Sequence, residues 1–204
     1  PKEILAIPRL GTIGVHPSLL PKYRGSSPIQ TAILNGDEIT GTTLYFIDEK
    51  MDHGPILAQR ELKFPIFNFQ FSKLHNALAE LSADLLIQFL RNYENIRKYE
   101  KIEGVAQDES QATYTKKFSS QNAFIEPKDL EKAQTEGREI AEKIERKIRA
   151  LNPEPGVWTQ SYENTKLYEI TKTKKRVKLL EAEIKDGKLK LKKIQIEGKN
   201  PINI

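Results

Sequence analysis

The sequence predicts an α/β domain followed by a small β-rich domain. Three observations carry this reading. Over the first half, apolar strand-like segments alternate with amphipathic helix signals. From Gly156 onward the pattern turns to short strands with one hairpin signal. Charge is also lopsided: residues 1–111 hold 12 basic and 14 acidic residues, whereas residues 112–204 hold 21 and 14. The basic surplus is densest between Lys166 and Lys199, with 12 basic against 5 acidic residues.

The segment from Ile4 to His16 is mostly apolar and predicts a short buried strand running into a loop. Pro17 and Pro21 stiffen that loop, which extends to Gly25. A compact helix follows: Ser26 or Ser27 caps it, Pro28 suits its first turn, and Gly36 suits its stop. Ile29, Ala32 and Ile33 share its apolar face. Thr42 to Ile47 is β-rich, with apolar residues on both faces. Ile56 to Phe64 alternates as a half-buried strand does. The polar stretch from Asp48 to Gly54 is the turn between them. A long helix spans roughly Ser72 to Asn92, with Leu74, Leu78, Leu81, Leu85 and Phe89 at helical spacing.

Residues 103–127 are rich in Gly, Ser, Gln and Asp without a period, and read as an interdomain linker between a first domain, 1–102, and a second, 128–204. A helix is expected from Asp129 to Leu151, with Ile140, Ile144, Ile148 and Leu151 as its stripe and Gly137 as a point where it can split. Strands are expected at Val157-Trp158, Tyr168/Ile170, Leu179–Ile184 and Leu189–Ile196, with Asp186-Gly187 as the hairpin turn. A small antiparallel barrel or meander fits this half.

Composition excludes several chemistries. No apolar run approaches the ~20 residues of a membrane-spanning helix. With no cysteine, there is neither a disulfide nor a thiolate ligand or nucleophile. No Gly-rich phosphate loop, HExxH or EF-hand pattern occurs. Pro1 precedes no recognisable secretory leader, and a processed or truncated start is expected. What remains is His16, at the end of a predicted strand, where open α/β sheets bind ligands. Asp52 lies in a turn between two other strands. An imidazole and a carboxylate on neighbouring loops can exchange protons near neutral pH. The same residues also suit plainer roles: a loop histidine bonded to a carbonyl, and a turn aspartate bonded to its own backbone. Asp48, Glu49 and His53 share the Asp52 turn and compete for its role. Tyr162 and Tyr168, within the lysine-rich region, can stack on bases or fill a core.

The run from Gly11 to Gln59 resembles the folate-dependent formyltransferases. The residues that carry the likeness are His16-Pro-Ser-Leu-Leu-Pro-Lys-Tyr-Arg-Gly25, Pro28-Ile-Gln30, Gly36-Asp37, Thr40-Gly-Thr-Thr43 and Met51-Asp-His-Gly-Pro-Ile-Leu57. In the second half, Gln111-Ala-Thr-Tyr-Thr-Lys-Lys117, Ile148-Arg-Ala-Leu-Asn-Pro-Glu-Pro-Gly156 and Glu197-Gly-Lys199 resemble the carboxyl-terminal part of the methionyl-tRNA formyltransferases.

This resemblance implies part of a Rossmann-like formyltransferase domain followed by an OB-like β-barrel. It implies transfer of a formyl group from 10-formyltetrahydrofolate to the α-amino group of methionyl initiator tRNA, in the cytoplasm and with no metal. His16 and Asp52 match the catalytic histidine and aspartate. Ser18, Leu19, Leu20 and Pro21 match the tetrahydrofolate loop. Lys172, Lys174, Lys175 and Arg176 are the expected tRNA contacts of the basic half. Gly14 stands at the family's asparagine, so a side-chain donor to the formyl oxygen is missing there; losing one such donor typically costs ~100–1000-fold in rate. Pro127 and Glu154 stand where the family has tryptophans. The family's opening strands are absent too, so the chain is expected to be amino-terminally truncated, with the missing segment supplied by the same gene or another chain, and to be a monomer when complete. A truncated tRNA-binding remnant without turnover, or a sugar or purine-pathway relative, is the alternative.

Overall fold

In the computed structural model the described residues are 2–64, 70–96, 103–161, 163 and 166–204. They divide into two compact units, Pro1–Lys117 and Phe118–Ile204.

The first unit is built on a sheet of strands β1 (Ile13–His16), β3 (Ile39–Phe46) and β4 (Ile56–Lys63), in the order β1-β3-β4 with β3 central. All of these pairings are antiparallel. A two-residue strand, β2 (Arg24–Gly25), pairs in parallel with β5 (Tyr114–Thr115). Central β3 buries both faces, as its apolar residues predict. Helix α3 (Phe71–Ile96) packs on β3 and β4 and also meets α2 (Pro28–Asn35). Leu74, Leu78 and Leu85 are its buried stripe, joined by Ile29, Ala32 and Ile33 of α2. Helix α2 has Pro28 in its first turn and ends at Gly36, whose left-handed φ of +72° lets the N–H turn back to Ala32 and Ile33.

Two expectations in this unit are corrected. The buried strand predicted from Ile4 shrinks to β1. Residues Lys2–Leu5 form a helical turn, α1, that buries nothing, and Ile4, Ile7 and Leu10 are exposed. Pro8 cannot donate to a ladder, and Gly11 at φ +82° turns the chain before it can pair. The stretch 103–127 also differs from a linker. Its first part carries a 3₁₀ turn at Glu109–Gln111 and β5, and it belongs to the first unit. Backbone pairing and polar side chains hold it, which a hydrophobic period does not register.

The second unit packs helices α4 (Pro127–Thr135) and α5 (Arg138–Leu151) on an antiparallel sheet of β6 (Trp158–Gln160), β7 (Arg176–Lys185), β8 (Lys188–Ile196) and β9 (Ile202–Asn203). Gly137 separates the two helices, as its position predicts. The β7–β8 hairpin turns at Asp186-Gly187, where both residues have positive φ. Leu151, Val157, Val177, Leu179, Leu189 and Ile194 form the buried core. Helix α5 also buries Glu145 and Arg149, which pair at 2.5 Å one turn apart.

One further expectation is corrected here. Tyr168 and Ile170 lie in a helix, α6 (Lys166–Thr171), rather than a strand; Lys172 N–H returns to the Tyr168 carbonyl at 2.7 Å and closes it locally. The four strands form an open sheet: among the described residues no pairing joins β6 to β9 into a barrel, and both of these outer strands are short. Trp158 is half-buried, with its ring against Phe124 and its indole N–H on the Ser120 carbonyl. Tyr162 lies outside the described residues.

Leu179→Ala, fully buried on β7, is expected to cost about 2–5 kcal/mol in urea unfolding, whereas Lys190→Ala on the exposed face stays within about 0.5 kcal/mol. The single tryptophan, Trp158, lies in this unit and its fluorescence reads the transition.

Candidate active site

His16 ends β1, and Asp52 sits in the turn between β3 and β4. Folding brings them together: His16 Nδ1 lies 3.6 Å from Asp52 Oδ2, with both side chains largely buried. His16 Nε2 is 2.8 Å from the Tyr23 carbonyl. A carbonyl can only accept, so Nε2 carries a hydrogen, and in the neutral ring Nδ1 keeps its lone pair toward Asp52.

Asp52 is held on both oxygens. Its Oδ2 accepts the Gly25 backbone N–H at 2.7 Å, and its Oδ1 accepts the Tyr45 hydroxyl at 2.7 Å. Its own backbone is left-handed, at φ +49°, a conformation that aspartate tolerates in turns. Gly25 is glycine for a close approach: at φ +106° a Cβ there would lie 2.7 Å from the Thr115 carbonyl oxygen. The competitors for the Asp52 role point elsewhere. Burial raises the Asp48 carboxyl, but the His53 ring at 2.6 Å and the Lys50 N–H outweigh it and leave it lowered. Glu49 pairs with Lys2 on the surface.

The loop from Pro17 to Gly25 is fastened by residues well separated from it in sequence. Thr43 Oγ1 donates to the Ser18 carbonyl and accepts the Leu20 N–H. Gln59 donates to the Leu20 carbonyl. Ser18 and Leu20 turn their side chains inward, while Leu19 and Pro21 are half-buried. Tyr23, the partner of His16, is fixed through its hydroxyl to Asp37 and through its N–H to Thr113.

Arg24 is fully buried, at 0 % exposure. Its guanidinium donates twice to Gln107 Oε1 and twice to the Glu109 carboxylate, and it holds that carboxyl below the usual range. The Gln107 amide donates in turn to the Asp52 and Gly54 carbonyls. One side chain thus joins the His16 loop to the Asp52 turn. Sequence reasoning missed Tyr45, Gln107 and Glu109 as site residues. Tyr45 looked like an ordinary strand residue, and the other two fell in the supposed linker.

Gly14, the position where a side-chain donor was expected to be missing, pairs with Tyr45 across β1 and β3. Among the described residues no group of three or more His, Asp or Glu side chains is placed to hold a metal. In the second unit, Lys172, Lys174 and Lys175 are exposed. Arg176 departs from that group. It stacks 4.1 Å over the Trp158 ring and reaches Ser120 Oγ.

Comparison with known proteins bears on this arrangement. Residues 1–90 match the formyl transferase family, and residues 138–204 match the formyl transferase C-terminal domain. The methionyl-tRNA formyltransferase of Thermotoga maritima is 40% identical over 155 residues, which is 76% of this chain and 45% of that protein. The methionyl-tRNA formyltransferase of Kosmotoga olearia is 34% identical over 228 residues, covering 100% of this chain and 65% of that protein. The chain therefore spans less than two thirds of either relative. Two solved structures share the fold. HypX from Aquifex aeolicus in complex with tetrahydrofolic acid has a TM-score of 0.68 at 18% identity, over 100% of this chain and 35% of its own. Methionyl-tRNA formyltransferase from Clostridium thermocellum has a TM-score of 0.59 at 23% identity, over 96% and 72%. With its two halves matching the family's two domains and its relatives at 34–40% identity, the chain belongs to the formyl transferase family.

Proposed function

We propose that this chain transfers a formyl group from 10-formyltetrahydrofolate to the α-amino group of methionyl initiator tRNA, the step that prepares the initiator for translation. The observation that carries the reading is the buried His16–Asp52 pair, in a chain whose Thermotoga and Kosmotoga relatives are methionyl-tRNA formyltransferases.

The chemistry requires a nucleophilic amine and a route for its proton. The amine nitrogen attacks the formyl carbon and forms the new C–N bond. The proton it sheds passes to the lone pair of His16 Nδ1. The bond from carbon to N10 of the folate then breaks, its electron pair stays on N10, and the proton is delivered there. Asp52, 3.6 Å from Nδ1, balances the charge while the imidazole carries it. Neither residue is free to drift, since His16 is tied to Tyr23 and Asp52 to Gly25 and Tyr45. Positioning of two large substrates supplies much of the remaining rate.

In this reading the folate lies along Ser18, Leu19, Leu20 and Pro21, a loop whose main chain is fastened by Thr43 and Gln59. The second unit is the tRNA-facing module, with an OB-like barrel as its family form. Lys172, Lys174 and Lys175 contact phosphates. Arg176 contributes through the Trp158 face on which it lies.

Formylation of methionyl initiator tRNA, assayed with 10-formyltetrahydrofolate, is expected for the chain. It should fall by about 10²–10⁴-fold in kcat for His16→Ala and for Asp52→Asn. Absence of product with native tRNA would reject the reading. For the basic segment, replacing Lys172, Lys174 and Lys175 by glutamine should lower the salt slope of tRNA binding by roughly one for each phosphate that is no longer neutralised. An unchanged slope would assign these lysines to solvent alone.

A further inference from the structure

We infer that Tyr45 is the positioning residue of Asp52, and that residue 14 is glycine because the Tyr45 ring occupies the place of its side chain. Gly14 and Tyr45 face one another in the β1–β3 ladder. A Cβ at position 14 would lie 2.5 Å from Tyr45 Cε1, 2.6 Å from Cζ and 2.9 Å from the hydroxyl oxygen. Separations this short are overlaps. Any side chain at position 14 must therefore swing the ring aside, and the ring is buried, at 7% exposure.

Swinging it breaks a specific bond. The Tyr45 hydroxyl donates to Asp52 Oδ1 at 2.7 Å, opposite the Gly25 N–H on Oδ2. Two donors on two oxygens fix the rotation of the carboxylate plane and keep Oδ2 facing His16 Nδ1. With Tyr45 removed, Gly25 alone holds the group and the carboxylate can pivot. Burial, then the Asp52 carboxylate itself, raise the phenol above its ordinary range, so the hydroxyl keeps its proton and remains a donor at any working pH. Gly14 and Tyr45 thus form one unit, a small residue on one strand and an aromatic on the next, and their product is the orientation of Asp52.

The catalytic consequence rests on the formyl-transfer reading above, while the positioning itself does not. Amide hydrogen exchange, measured by NMR on the full chain and on Tyr45→Phe, reads the positioning without any substrate. The Gly25 N–H should exchange about tenfold faster in Tyr45→Phe, while that of Leu44, in the core of the same strand, is unchanged. Equal exchange of Gly25 in the two proteins would overturn the inference, whether or not the chain formylates anything. In steady-state formylation, Tyr45→Phe should lower kcat about tenfold with KM for both substrates unchanged. An unaltered kcat beside an active parent would overturn the catalytic consequence alone. The steric half is tested by melting temperature. Gly14→Ala should lower it, and the double variant Gly14→Ala/Tyr45→Leu should regain most of the loss. A Gly14→Ala variant as stable as the parent, with Gly25 exchange unaltered, would overturn that half.

Discussion

The site depends on one buried guanidinium. Arg24 has no exposure to solvent, and a charge in that position is tolerated only when fully paired and hydrogen-bonded. Glu109 supplies the opposite charge, and Gln107 and the Tyr114 hydroxyl the remaining acceptors. Because Gln107 uses its other end to hold the Asp52 turn, satisfying Arg24 also ties the loop after β1 to the turn after β3. The demand of one cation for partners brings together segments from around positions 24, 52 and 107.

Around that clamp the site is arranged by backbone groups as much as by side chains. A carbonyl of Tyr23 selects which His16 nitrogen carries hydrogen. The N–H of Gly25 and the hydroxyl of Tyr45 fix the Asp52 carboxylate. The left-handed turn at Asp52 aims its side chain inward. Such anchoring matters for any proton transfer at this pair, because the gain from a proton acceptor falls steeply once it drifts from the reacting atom.

Local patterns in the sequence were legible where physics is local. The Pro28 first turn and Gly36 stop of α2, the stripe of α3, the split at Gly137 and the Asp186-Gly187 hairpin follow from proline and glycine geometry, period or turn chemistry, whereas Ser27, at the head of α2, makes no side-chain capping bond. His16 and Asp52 stood out as a pair by chemistry and resemblance, and the structure brings them within 3.6 Å. Other features were not legible. Residues 107–115 read as a linker because polar clamps and two-residue strands leave no periodic mark. Tyr168 and Ile170 read as a strand because alternation over so few residues does not separate strand from helix. The apolar run after Ile4 read as a strand although Pro8 and Gly11 prevent pairing.

The sequence by itself determined the order of most elements, the lopsided charge and the motif residues of the formyl transferase family, because composition, period and residue identity are properties of the chain. Only the tertiary structure decided how Asp52 faces His16, why Arg24 draws Gln107 and Glu109 onto the site, and how Tyr45 fills the place that Gly14 leaves open. Those are contacts between residues distant in sequence, and their energies depend on burial and direction, which exist only once the chain has folded.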